Sequence, residues 1–162
     1  MLPLPSWRLL LLWWEREMAL EALKLKALCK SPWVFHVSAG SCNNCDIEIL
    51  DCLCPRFDIE RFGALLVGSV RHADALLVTG AMNRKSALRV KKLWAQAAKP
   101  CIVIAIGTCA CGQGIFRDSY AVTDALDEVL PGAVIAYVPG CPPKPEAIIL
   151  GVVKALNALK GA

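Results

Sequence analysis

The chain has 162 residues, the length of one domain with a substantial buried core. Hydrophobic residues make up 56% and charged residues 20% of the sequence, a balance that predicts that partner subunits cover part of the surface. The 18 basic and 14 acidic residues give a net charge of +4 without forming a basic block, which argues against nucleic-acid binding.

The first thirty residues differ from the rest, and we predict a helical N-terminal extension over 1–30. Its apolar run, Leu9 to Trp14, is only six residues long, whereas a membrane-spanning helix needs about twenty. The start also lacks the pattern of a secretory leader, which favours a cytoplasmic protein. The extension could pack on its own domain, on a neighbouring subunit or on a membrane surface, and translation could instead begin at Met18.

Residues 31–162 alternate short apolar runs with helical patterns. The predicted strands are Trp33–Ser38, Ala64–Val67, Asp74–Thr79, Cys101–Ile106 and Ala133–Val138, and the predicted helices are Cys45–Leu53, Ser86–Ala98 and Pro145–Lys160. This alternation predicts an α/β domain with a flavodoxin-like, doubly wound parallel sheet, in which ligands bind beyond the carboxyl ends of the strands.

Four cysteines follow predicted strands one, four and five. Cys42 and Cys45 lie in SAGSCNNCDIE, Cys109 in GTCACGQG and Cys141 in VPGCPPKPE. Because the carboxyl ends of parallel strands share one edge, we expect the four thiols to meet there. The cysteine count of nine is odd, and together with the missing leader it favours metal ligation over disulfides.

The CxxC pair by itself is ambiguous among an iron–sulfur cluster, zinc and a dithiol redox site. A thioredoxin-like motif would not need the two additional loop cysteines, and zinc knuckles usually combine two close CxxC pairs. An iron–sulfur cluster is therefore favoured, with a zinc-stabilised interaction module as the alternative of another class. Cys111, two residues after Cys109, competes with it as a ligand.

Three polar residues near the first motif are candidates for further roles. Glu48 lies about one helical turn after Cys45 and could relay protons, or it could simply cap the helix or form a salt bridge. Asp46 is expected to stabilise the first turn of the helix. His36 in the first strand is expected to be a hydrogen-bonded core histidine rather than a ligand.

The ordered motifs SCNNCDIE, GTCACGQGIF and VPGCPPKPEAI, with RFG and SVRHADALLVTG between them, resemble the small subunit of membrane-bound, energy-converting NiFe-hydrogenases, which is related to the cluster-bearing B subunit of respiratory complex I. The resemblance covers about residues 31–159. It implies one 4Fe–4S cluster held by Cys42, Cys45, Cys109 and Cys141. It also implies a hydrogenase-type large subunit, a ferredoxin-like subunit with two 4Fe–4S clusters, membrane-embedded subunits, and a peripheral position on the cytoplasmic side of the cell membrane.

Two asparagines favour the hydrogenase branch of this resemblance. The complex I branch typically has two adjacent cysteines at the first motif, whereas Asn43 and Asn44 separate Cys42 from Cys45 here. The resemblance places the nickel–iron centre in the large subunit, so we expect an oxidoreductase subunit that does not turn over alone. A complex I-like NADH- or ferredoxin:quinone oxidoreductase, or a sulfur-reducing relative, is the alternative function.

Overall fold

The computed structural model describes residues 19, 20, 23, 24 and 26–160. The three N-terminal tryptophans and Met18 lie outside these residues. Of the described part of the extension, residues 26–30 are helical, Leu28 is buried, and Leu20 and Leu23 are exposed in the isolated chain. The division of the chain at residue 30 therefore stays a prediction.

The described domain is built from strands that alternate with helices. The strands are β1 (Trp33–Gly40), β2 (Leu65–Leu66), β3 (Ala75–Gly80), β4 (Ile102–Ile106) and β5 (Val134–Val138). The helices that follow the first strand are α1 (Asn44–Asp51), α2 (Arg84–Gln96), α3 (Thr108–Gly112), α4 (Leu126–Val129) and α5 (Pro145–Lys160). Short 3₁₀ turns occupy Ile59–Phe62, Val70–His72 and Gly114–Phe116.

The five strands form one parallel sheet in the order β2-β1-β3-β4-β5. This is the flavodoxin-like order, so the predicted fold class is confirmed. Every residue of β3 and β4 is buried, as expected for central parallel strands that are covered on both faces.

Helices cover both faces of the sheet. On one face, side chains of β1, β3 and β4 pack with those of α2, α3 and α4, and the contacts include Val78, Val103, Val90, Ala110 and Leu126. On the other face the same strands pack with α1 and α5, through Leu77, Ile104, Ile49, Ile148 and Val152. Burial of these apolar surfaces on both sides is the main force that holds the sheet and its loops in place.

Helix α2 begins two residues before the predicted start, at Arg84. The reason is a capping box: the Asn83 side chain accepts a hydrogen bond from the Ser86 amide at 2.8 Å, and the Ser86 side chain accepts one from the Asn83 amide at 3.0 Å. Helices α3 and α4 were not predicted, because segments of five and four residues are too short to produce a helical periodicity.

Candidate metal centre

The three cysteine motifs lie at the carboxyl edge of the sheet. Cys42 and Cys45 are in the turn and first residues of α1 after β1, Cys109 is in α3 directly after β4, and Cys141 follows β5. The thiols influence one another: burial raises the pKa of Cys45 to about 11, and Cys42, Cys109 and Cys141 add to the increase through charge repulsion. The structure therefore brings together the four predicted residues.

Glycines allow the backbone to approach the sulfurs closely. Gly107, at φ 87° and ψ 153°, has a backbone conformation that is essentially restricted to glycine. A Cβ atom on Gly107 would lie 2.6 Å from Sγ of Cys45, and one on Gly114 would lie 3.2 Å from Sγ of Cys109. The turns around α3 thus pass directly beside two of the thiols.

Hydrogen bonds join the loop of Cys109 to the loop of Cys141. The Thr108 amide donates to the carbonyl of Gly140 at 2.8 Å, and the Thr108 hydroxyl lies 3.0 Å from the same oxygen. The Gly140 amide in turn lies 3.3 Å from the Thr108 hydroxyl oxygen. Thr108, directly before Cys109, is therefore bound to Gly140, directly before Cys141.

The thiols differ in exposure. Cys45 is buried, Cys109 is half-buried, and Cys42 and Cys141 are exposed. All nine cysteines are free thiols. Among the described residues, no group of three or more Cys, His, Asp or Glu side chains is arranged to hold a single metal ion. A four-iron cluster has a separate iron for each cysteine, so its ligands stand farther apart than those of one ion.

Two of the other cysteines, Cys101 and Cys111, pack against the apolar core. Cys111 donates from Sγ to the carbonyl of Ala105 at 3.7 Å and packs against the apolar core, where burial raises the pKa of its thiol. Cys101 packs against the same core, and burial raises its pKa to about 11. Of the two competing cysteines in GTCACGQG, the geometry therefore favours Cys109.

A polar network lies beside the second cysteine. The Thr79 hydroxyl donates to Oδ1 of Asp46 at 2.5 Å, and Nε2 of His36 lies 3.0 Å from the same carboxylate oxygen and 3.0 Å from the Thr79 hydroxyl. Asp46 is in the first turn of α1, as predicted. The expectation for His36 as a hydrogen-bonded histidine agrees with these contacts. Thr79 was missed, because a threonine at the end of an apolar strand carries no signal in the sequence.

Glu48 lies on α1 and is half-buried. Its charge contributes to raising the pKa of Cys52, after the larger effect of burial. Within the described part of the chain, its carboxylate has no hydrogen bond or ion pair, so the predicted alternative of a salt bridge finds no partner there. Its suggested role in proton transfer stays a prediction.

A doubly wound domain that presents thiols from three segments at its carboxyl edge has the arrangement expected of an electron-transfer subunit with an iron–sulfur cofactor. A family comparison identifies the group within this class. The chain belongs to the NADH ubiquinone oxidoreductase 20 Kd subunit family, whose model matches residues 42–155. The resemblance inferred from the motifs is thereby confirmed.

Curated relatives include several hydrogenase subunits. The chain is 54% identical over 140 residues to a probable membrane-bound hydrogenase subunit of Pyrococcus furiosus, covering 84% of this chain and 83% of the relative. It is 43% identical to formate hydrogenlyase subunit 7 of Escherichia coli, covering 90% of this chain and 56% of the relative. It is also 41% identical to an NADH-quinone oxidoreductase subunit of Geotalea daltonii, covering 68% of this chain and 63% of the relative.

Solved structures agree with this assignment. A chain of the membrane-bound sulfane sulfur reductase, an archaeal respiratory complex, is 33% identical with a TM-score of 0.74, covering 86% of this chain and 76% of that chain. A chain of an NAD⁺-reducing [NiFe]-hydrogenase superposes with a TM-score of 0.58 at 18% identity, covering 79% of this chain and 92% of that chain, which supports the fold alone.

The chain is therefore an electron-transfer subunit of an oxidoreductase complex. An iron–sulfur cofactor fits this family and its free thiols. Relatives of the chain are subunits of membrane-bound complexes, so we expect partners of that kind. Among the described helices, none has the length and hydrophobicity needed to cross a bilayer.

Proposed function

We propose that the chain carries electrons in a membrane-bound NiFe-hydrogenase complex, through one 4Fe–4S cluster, to or from the active site of the large subunit. The reaction is proton reduction or hydrogen oxidation coupled to ion transport. Cys42, Cys45, Cys109 and Cys141 hold the cluster. The observation that carries the proposal is the convergence of these four thiols, from three separate loops, at one edge of the sheet.

The residues at this edge suit a cluster. Cysteine thiolates are the usual ligands of 4Fe–4S clusters, and Gly107 leaves room for the buried sulfur of Cys45. When bound, such a cluster takes up and releases one electron at a time. The protein's part is to hold the ligands in position, keep water away from Cys45 and set the charge around the site.

The solvent-exposed side of the site is suited to contact with a large subunit. Ile115 and Tyr120, in the segment that follows Cys109, are each 90% exposed, and Ile47 on α1 is 48% exposed. Exposed apolar side chains in the segments that carry the cysteines are typical of a protein interface. A ferredoxin-like subunit with two 4Fe–4S clusters and membrane-embedded subunits complete the proposed complex, on the cytoplasmic side of the cell membrane.

A sulfur-reducing complex is the second candidate, because the sulfane sulfur reductase chain shares the fold at 33% identity. In that case the same cluster would feed a polysulfide instead of protons. The higher identity of 54% to a hydrogenase subunit favours the first candidate. The neighbouring large subunit separates the two, since four metal-binding cysteines in it would indicate nickel–iron chemistry.

The cluster can be tested in the complex purified without oxygen. We expect iron, acid-labile sulfide and an electron paramagnetic resonance signal that disappears in Cys141→Ala and Cys109→Ala complexes. Cys111→Ala is the matched control in the same loop and should retain the signal. Zinc without iron, or an unchanged signal in Cys141→Ala, would contradict the proposal.

A further inference from the structure

The network of His36, Asp46 and Thr79 connects three elements at the carboxyl edge. His36 is on β1, Asp46 is in the first turn of α1, and Thr79 is near the end of β3. Thr79 is completely buried, and the side chains of His36 and Asp46 are 25% and 15% exposed. The contacts span 33 residues between Asp46 and Thr79, so they bind the start of α1 to the sheet.

The hydrogen-bond directions follow from the donors available. A carboxylate accepts only, so the Thr79 hydroxyl must give its single proton to Asp46. The hydroxyl oxygen is then free to accept from Nε2 of His36, which also lies within hydrogen-bond distance of the carboxylate. Nε2 of His36 has one proton, so it donates either to this hydroxyl oxygen or to the carboxylate, and the Thr79 hydroxyl is the donor that holds Oδ1 of Asp46. Hydrogen bonds to a charged acceptor are stronger than neutral ones.

Asp46 directly follows Cys45, and the α-carbons of consecutive residues are about 3.8 Å apart. The hydrogen bond to Thr79 holds the Asp46 carboxylate at the carboxyl end of β3, the edge of the sheet where the cysteines lie, so it places a negative charge near the cluster. Negative charge makes the addition of an electron less favourable, and the low exposure of Asp46 limits screening by water.

We propose that Asp46 lowers the reduction potential of the cluster, and that Thr79 and His36 are positioning residues that hold its carboxylate at this edge of the sheet. This inference rests on the proposed function. The three residues thereby influence how readily the cluster accepts an electron, whereas the four cysteines bind it.

The test is the midpoint potential of the cluster, followed by paramagnetic resonance in the intact complex at one pH. Asp46→Asn removes the charge but retains an oxygen that can accept from Thr79, so we expect the potential to rise. A shift of about tenfold in the reduction equilibrium corresponds to about 59 mV for one electron. Asp51→Asn removes the same charge six residues beyond Cys45 on α1 and should leave the potential unchanged.

Positioning is tested by repeating Asp46→Asn in a Thr79→Val background. Valine retains the shape of threonine but lacks the hydroxyl, so the side chain of residue 46 can turn to water, where its charge is screened. We expect Asp46→Asn to change the midpoint potential less in the Thr79→Val background than in the wild type, and by the wild-type amount in a Thr79→Ser background. The comparison is a double-mutant cycle. His36→Phe provides a second background with the same expected decrease.

The outcomes separate this inference from the proposed function. A wild-type complex without iron would refute the function itself. A wild-type complex with its cluster, and an Asp46→Asn complex with the same potential, would refute only the role of Asp46. If Asp46→Asn changes the midpoint potential equally in the wild-type, Thr79→Val and His36→Phe backgrounds, the positioning role of Thr79 and His36 is refuted.

Discussion

The sulfur of Cys45 lies directly against the backbone of Gly107, although Cys45 is in α1 and Gly107 is in the turn between β4 and α3. A methyl group on Gly107 would approach the sulfur to 2.6 Å, which real Cβ atoms do not tolerate. The turn between β4 and α3 is therefore shaped around this thiol, and the space at the site depends on the absence of a side chain there.

We predict that Gly107→Ala prevents cluster assembly. The substitution places a Cβ in a backbone region that is essentially limited to glycine, at a cost of about 1–3 kcal/mol, and it also displaces the sulfur of Cys45. Iron and sulfide content of the purified complex should fall well below the wild-type values.

Gly112→Ala is the control for this prediction. Gly112 is in the same helix, α3, and a Cβ there meets no atom within 4 Å. We expect wild-type iron content. A full complement of iron in Gly107→Ala would contradict the close contact between Cys45 and the turn.

Thr108→Val should loosen the connection between the loops of Cys109 and Cys141. The substitution preserves the β-branched shape but removes the hydroxyl that contacts the backbone of Gly140. We expect the free energy of unfolding to fall by about 1 kcal/mol and the cluster to be lost faster in air. Chemical unfolding and the rate of bleaching measure the two effects, and Thr108→Ser should behave like the wild type.

The buried thiol of Cys52 should make the stability of the fold depend on pH. Burial, with a smaller effect from Glu48 and Asp51, raises its pKa from 9.0 to about 11. Between these values the folded chain keeps a proton that the unfolded chain releases, so stability should fall as the pH rises from 9 to 11. The loss is about 3 kcal/mol at most.

Cys52→Ala should make this decline shallower, as measured by urea unfolding of the subunit at a series of pH values. The exposed Cys54→Ala is the matched control two residues away and should follow the wild-type slope. The same slope in all three proteins would mean that the Cys52 thiol does not contribute.

Glu48→Gln tests the suggested relay of protons. If the carboxylate passes protons near the cluster, hydrogen evolution should decrease about tenfold or more, while iron content and the resonance spectrum stay unchanged. Glu60→Gln, on the turn Ile59–Phe62, removes an exposed carboxylate and should retain full activity. Equal rates in both variants would exclude a role for Glu48.

Much of this structure could be predicted from local features. The bounds of β3, β4 and α5 agree with the prediction within one residue. The two strands are uninterrupted apolar runs and the helix has one apolar face, and both patterns can be recognised from residues that are close together in the sequence. The shared edge for the four cysteines followed from parallel strand topology. Helices α3 and α4 were missed because they span little more than one turn, which is too short to show a helical repeat in the sequence.

The sequence alone determined the fold class, the family resemblance and the expectation that thiols after β1, β4 and β5 meet, since these depend on the order of apolar runs and turns along the chain. Only the tertiary structure decided that Cys109 faces the other thiols while Cys111 packs into the core, and that Thr79 donates to Asp46. Such choices depend on strand register and side-chain direction across the sheet, which residues far apart in the chain set together when the core packs.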